Sequence, residues 1–179
     1  MKQFLMLFLV AIVLVGCSSR HEKLDFDRVH EALKQADYNE AMTLLLEEKN
    51  ERDTDKIDYY INSVQTIQRL LNMYEENDWD QFIPEAAAYL ENDKNPFHKD
   101  VAQHVEEKLK KAQSFQRDYT YIQAQIQTAE QMAKEKKYNA AIAVLKNTNN
   151  MTSLNLRILH SLQKANALES KYILILQTP

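Results

Sequence analysis

The chain has 179 residues, with 22 Lys and Arg, 26 Asp and Glu, and one cysteine. A single cysteine excludes an internal disulfide, and a single glycine, Gly16, excludes the glycine-rich loops that bind phosphates. The net charge of −4 argues against nucleic acid as a partner, because nucleic-acid-binding domains are basic.

The N-terminal residues have the pattern of a secretory signal. Lys2 precedes an unbroken apolar run at residues 4–15, and Gly16 follows this run directly. The run is too short for a transmembrane helix, which needs about 20 apolar residues. We therefore expect residues 1–16 to be an export signal and residues 25–179 to form a single domain outside the cytoplasm.

The tetrapeptide LVGC at residues 14–17 resembles the lipobox of bacterial lipoproteins. In that family the cysteine thiol receives a diacylglycerol, and the signal peptidase cuts just before the cysteine. The resemblance implies that Cys17 is the lipidated N-terminus, with its acyl chains in the cell membrane, and that residues 17–24 form a polar tether. This covalent lipid is the only cofactor-like group that we expect.

Composition and periodicity predict an all-α domain. Ala, Leu, Gln, Glu and Lys are strong helix formers, and an apolar stripe recurs every three or four residues from Ile57 to Tyr74. Pro84 falls near the start of one helix, which could therefore begin at Ile83 or Pro84. The predicted helices cover residues 25–36, 38–49, 55–77, 80–91, 96–136, 138–147 and 152–174.

The helix predicted at 96–136 is unusually long. A second apolar stripe runs through it from Val101 to Ala133, and Asn95 and Pro96 have the pattern of an N-cap and a first helical residue. A break near residues 114–118 carries only a weak signal. The heptad-like spacing favours pairing with another helix. We expect packing within the chain, against the helix at 56–77, in preference to a coiled coil with a second copy. The sequence leaves the oligomeric state open.

A local pattern occurs three times between amphipathic helices. Residues 36–41 read ADYNEA, residues 77–82 read NDWDQF and residues 136–141 read KKYNAA. A polar turn, an aromatic residue and a small residue three positions later resemble the turn and second helix of tetratricopeptide repeats. The spacing departs from that family's period of 34 residues, because Tyr38, Trp79 and Tyr138 are 41 and 59 residues apart. The resemblance implies an irregular array of antiparallel helical hairpins.

The sequence contains no recognisable catalytic or metal-binding motif, and we expect no enzyme activity. The zinc signature HExxH is absent, and His98 and His104 lie too far round a helix to share a metal. The acidic residues between Glu47 and Asp55 lack the spacing of a calcium loop. We interpret them as a solvated loop.

Partner binding is the function class that remains. Aromatic residues are concentrated between positions 59 and 89, and Tyr59 and Trp79 are the candidates for partner contacts if they are exposed. Residues 20–95 carry 9 basic and 19 acidic residues, whereas residues 96–179 carry 12 and 7. We expect a helical module that binds another envelope protein on the extracytoplasmic face of the membrane. A carrier of lipid or a small ligand between the helices is the alternative.

Overall fold

The computed structural model of the chain describes residues 26–51, 54–92 and 94–178. These ranges contain α-helices and no strand, so the prediction of an all-α fold is confirmed. The helices are α1 (Phe26–Lys34), α2 (Tyr38–Glu51), α3 (Asp55–Glu75), α4 (Trp79–Glu91), α5 (His98–Lys134), α6 (Tyr138–Lys146) and α7 (Leu156–Gln177).

Each predicted helix is present, and local capping explains where the bounds differ. α7 begins at Leu156 rather than 152, because the Asn155 side chain accepts hydrogen bonds from the Arg157 and Ile158 backbone N–H groups. The prediction that Asn95 caps the long helix is wrong, because α5 begins at His98 and its N-cap residue is Phe97. The Asn95 side chain accepts from the Phe97 backbone N–H, and it thereby caps a preceding turn rather than α5 itself.

Two possible interruptions leave the helices intact. α5 is continuous from His98 to Lys134, so no break occurs near residues 114–118. Pro84 lies inside α4 rather than at its start, because α4 begins at Trp79. Proline at this position lacks the N–H that would donate to the carbonyl of residue 80, and its ring crowds that carbonyl, so Pro84 weakens α4 locally without ending it.

The three repeats of the sequence pattern form turns with the same backbone geometry. Ala36, Asn77 and Lys136 have φ of 59°, 59° and 61°, the left-handed conformation that glycine usually supplies. In the first turn, the Asp37 N–H donates to the Ala32 carbonyl and the Ala36 N–H donates to the Leu33 carbonyl. This pair of bonds is a Schellman motif, and the other two turns repeat it. An aromatic residue then begins the next helix at all three sites.

The helices form two groups along α5, which is about 55 Å long at 1.5 Å per residue. The helices α1 to α4 pack beside its N-terminal half, and α6 and α7 pack beside its C-terminal half. α6 returns antiparallel to α5, so α7 runs parallel to α5. The core residues of the described chain lie between Val29 and Tyr172, and all of them belong to these helices except Phe97, which is fully buried in the turn before α5.

The apolar stripe of α5 is buried within the chain. Val101, Val105, Ala112, Ile122 and Ala129 have no exposed surface. The prediction that α3 is the main partner of this stripe is wrong, because α5 packs chiefly against α4, α6 and α7 and only marginally against α3. The reason is topological: α4 returns from α3 and occupies the space between α3 and much of α5.

Candidate partner-binding groove

Tyr59 lies at the surface, in the first turns of α3. Its side chain is 49% exposed, and its hydroxyl donates to the Lys94 backbone carbonyl at 2.7 Å. The neighbouring Tyr60 packs edge-on against Phe26, with ring centroids 5.0 Å apart. The Lys56 ammonium lies over both of these rings. Tyr59 is therefore accessible, as a partner contact must be, although its hydroxyl is already engaged.

Trp79 lies in the core, so the prediction that it could contact a partner at the surface is wrong. Its side chain is 1% exposed, and its ring packs against Phe115 and Tyr119 with centroids 5.9 and 6.1 Å apart. The Arg157 guanidinium lies 5.1 Å from the Trp79 ring centroid and 4.2 Å from that of Tyr119. The burial follows from tertiary contacts, because Phe115 and Tyr119 of α5 and Arg157 of α7 cover the ring of Trp79.

Arg157 joins the two helix groups at this point. Its guanidinium donates to the Asn77 backbone carbonyl at 2.9 Å, while the Asn155 side-chain amide donates to the Asn77 side-chain oxygen. The start of α7 is thereby fixed to the turn between α3 and α4. This junction determines where the loop between α6 and α7 lies on the surface.

A groove crosses the surface beside this junction. It consists of three adjoining cavities of about 600, 480 and 300 Å³. The first two share Ala36, Tyr38 and Leu71, and the second and third share Tyr74 and Glu75. The groove therefore runs from the turn between α1 and α2, past the C-terminal end of α3, to the loop before α7.

One wall of the groove is a single face of α5. His104, Lys108, Lys111 and Phe115 follow each other at steps of four, three and four residues, which places them in one row. The Lys108 ammonium pairs with Glu75 at 2.8 Å and lies 4.3 Å from the Tyr74 ring centroid. Lys111 forms no ion pair within the part of the chain that the structure describes.

The far end of the groove carries exposed leucines. Leu154 is fully exposed and Leu156 is 65% exposed, and both line the third cavity with Phe115. Sequence reasoning missed these two residues. The available signal was an aliphatic residue, Leu154, in an otherwise polar loop, TSLN at residues 152–155.

Several histidines and tyrosines form contacts between structural elements. The His30 imidazole meets the Asp100 carboxylate at 2.6 Å and thereby links α1 to α5. The His98 ring stacks on Tyr89, whose hydroxyl is buried without a hydrogen-bond partner in the described chain. Burial raises the pKa of Tyr89 well above its usual value of 10.0, and the nearby Tyr38 and Asp100 raise it further. The residues that the structure describes contain no group of three or more His, Cys, Asp or Glu arranged to hold a metal.

Comparison with known proteins adds no relative from which a function could be transferred. No protein-family model, curated protein or solved structure matches the chain. No helix within the described ranges is long and apolar enough to cross a membrane. The predicted signal at 1–16, Cys17 and the tether up to residue 24 lie outside the described residues.

Proposed function

We propose that the chain is a membrane-anchored lipoprotein whose helical domain binds another envelope protein. Cys17 carries the lipid, on the strength of the lipobox-like LVGC at 14–17. The domain then acts as a binding or assembly module on the extracytoplasmic face of the membrane. Its hairpins resemble tetratricopeptide repeats in sequence, and arrays of helical hairpins commonly present extended binding surfaces.

The groove is the observation that carries this proposal. Its three cavities form one continuous path, as an extended peptide segment requires. Leu154 and Leu156 offer exposed apolar surface at one end, and Lys111 offers a positive charge without an acidic partner in the described chain. We therefore infer that the bound segment is extended, with apolar side chains on the leucines and an acidic side chain at Lys111.

The alternative, a carrier of lipid or a small ligand, has less support. A carrier would need an enclosed apolar cavity between the helices. The cavities of the groove are open to solvent, and polar side chains such as Gln68 and Asn72 line the largest of them. An exposed groove of this kind suits a peptide better than a lipid.

A site-specific cross-linking experiment in intact cells tests the binding proposal. A photoreactive amino acid would replace Leu154 in the full-length chain, with the same replacement at Leu46 as a matched control. Leu46 is 45% exposed but lies on α2, away from the groove lining. We expect position 154 to capture one or two envelope proteins that position 46 does not capture, and Lys111→Glu to reduce that capture. Identical products from both positions would contradict the proposal.

The anchor and Tyr59 need separate tests. A labelled fatty acid fed to the cells should be incorporated into the chain, and this incorporation should be lost in the Cys17→Ala variant. Incorporation that survives the change would exclude Cys17 as the lipidation site.

Tyr59 lies 15 residues before Tyr74 on α3, about 22 Å away along the helix axis. If Tyr59→Ala changes the products captured at position 154, Tyr59 belongs to the same partner surface; unchanged products would exclude that role.

A further inference from the structure

The last turn of α7 is aliphatic on all sides and lies at the surface. Ile173, Leu174, Ile175 and Leu176 are 37, 64, 38 and 47% exposed. Successive helix residues differ by about 100° around the axis, so four consecutive aliphatic residues leave no polar side. A helix segment that is apolar all round normally lies buried. This segment, the aliphatic tip (Ile173–Leu176), therefore requires an apolar environment that the described chain does not supply.

The aliphatic tip projects beyond the end of the helix group. The Gln123 side-chain amide donates to the Ser161 hydroxyl at 2.9 Å, which sets the register of the parallel helices α5 and α7. In this register the last residue of α5, Lys134, is level with Tyr172, and the ring of Tyr172 packs against Tyr138. The residues after Tyr172 extend about 7 Å further.

Basic residues surround the base of the tip. Lys134, Lys136 and Lys171 are exposed, and none of them forms an ion pair within the described ranges. The fourth lysine of this region, Lys137, pairs with Glu135 at 2.8 Å. Residues 172–178 have no charged side chain. The aliphatic tip thus has a basic collar (Lys134, Lys136 and Lys171) on one side only, at its base.

A second copy of the chain fits the tip poorly. A stable interface needs about 20–30 residues on each side, and the tip offers four. Pairing two tips by a twofold axis would also bring the two basic collars together. An anionic bilayer fits both features, because short apolar helix surfaces enter the headgroup region to about 5–10 Å and nearby lysines attract anionic headgroups.

We propose that the aliphatic tip inserts into an anionic lipid bilayer, with the basic collar on the headgroups. The tip lies at the end of the domain opposite α1, which follows the tether. Together with an anchor at Cys17, the inserted tip would lay the long axis of the domain along the membrane. Only this orientation rests on the proposed function; lipid insertion of the tip does not depend on Cys17.

Quenching of an introduced tryptophan by brominated lipid tests the insertion. Leu174→Trp and, as the control, Leu154→Trp would be made in the full chain and mixed with vesicles of brominated phosphatidylglycerol. Trp79 is buried and contributes the same background to both. We expect lipid to quench Leu174→Trp and not Leu154→Trp. Equal quenching of the two would overturn the proposal.

Three further measurements distinguish the remaining outcomes. In the Cys17→Ala chain the quenching of Leu174→Trp should persist. Its persistence would show that the tip inserts into lipid whether or not Cys17 carries a lipid. Replacing the three lysines of the basic collar by Glu should lower the vesicle partition coefficient of this chain, by at least roughly fivefold for each lysine. If sedimentation instead finds a dimer without lipid that Leu174→Asp dissociates, the tip binds a second copy and the lipid proposal is wrong.

Discussion

Glycine at two of the three turns should stabilise the protein. Ala36 and Lys136 adopt φ of 59° and 61°, a conformation that costs an L-residue about 1–2 kcal/mol. Glycine avoids that cost but loses about 0.5–1 kcal/mol through its greater freedom in the unfolded chain. We therefore expect Ala36→Gly and Lys136→Gly each to raise the free energy of unfolding by about 0.5–1 kcal/mol. The turns lie at different ends of the fold, so the two effects should add.

The third turn provides a contrast with the same backbone geometry. Asn77 has φ of 59°, but its short polar side chain tolerates this region and makes two hydrogen bonds, to the Glu75 carbonyl and with the Asn155 amide. Asn77→Gly would lose both bonds, and we expect it to be neutral or destabilising. The matched control is Glu76→Gly, because Glu76 has a helical φ of −75° and glycine there brings only its entropic cost.

Urea unfolding followed by circular dichroism measures these differences. The chain from Ser18 onward is suitable, because every core residue of the described chain lies between Val29 and Tyr172. The double variant should also melt about 2–8 °C higher, since 1 kcal/mol corresponds to about 2–4 °C at this size. If Ala36→Gly and Lys136→Gly prove no more stable than Glu76→Gly, the left-handed turns are not a source of strain and the reasoning fails.

Other predictions concern buried aromatic residues and the groove. Tyr89→Phe should stabilise the protein by about 1 kcal/mol at neutral pH, because the buried Tyr89 hydroxyl has no partner in the described chain; an equal gain from Tyr38→Phe would contradict this explanation. Burial raises the pKa of Tyr89 above the usual 10.0, so the unfolded chain loses the phenolic proton of Tyr89 at a lower pH than the folded chain does. The folded state should therefore lose stability as the pH rises above about 10, and Tyr89→Phe should reduce that loss in pH-dependent urea titrations. Trp79→Ala should lower the free energy of unfolding by about 3–5 kcal/mol, since the ring is fully packed in the core. A decrease below about 1 kcal/mol would refute the structural role of Trp79 where the two helix groups meet. Leu154→Ala should change stability by less than about 0.5 kcal/mol, because Leu154 is fully exposed; a larger loss would mean that it supports the fold rather than the groove surface.

Local sequence determined the helices and the turns. The shortage of glycine and the apolar stripes were sufficient to predict an all-α fold, because helix periodicity and propensity act over a few residues. The repeated pattern around Tyr38, Trp79 and Tyr138 located three turns that the structure builds alike. Asn155 could be recognised as an N-cap only once the start of α7 was known. The predicted start at residue 152 was therefore too early.

Contacts between distant residues could not be predicted in this way. Trp79 is buried because Arg157, 78 positions later, and α5 cover its ring, and no local pattern distinguishes that ring from the exposed Tyr59. The groove likewise joins residues from four separate segments, from Ala36 to Leu156.

The sequence by itself thus determined which segments are helical, where the hairpins turn and that residues 14–17 resemble a lipobox. Only the tertiary structure decided that α5 packs against α4, α6 and α7, that Trp79 is in the core and that the aliphatic tip of α7 is left uncovered. The physical reason is that periodicity states which face of a helix is apolar, whereas the connections and the register between helices decide what, if anything, covers that face.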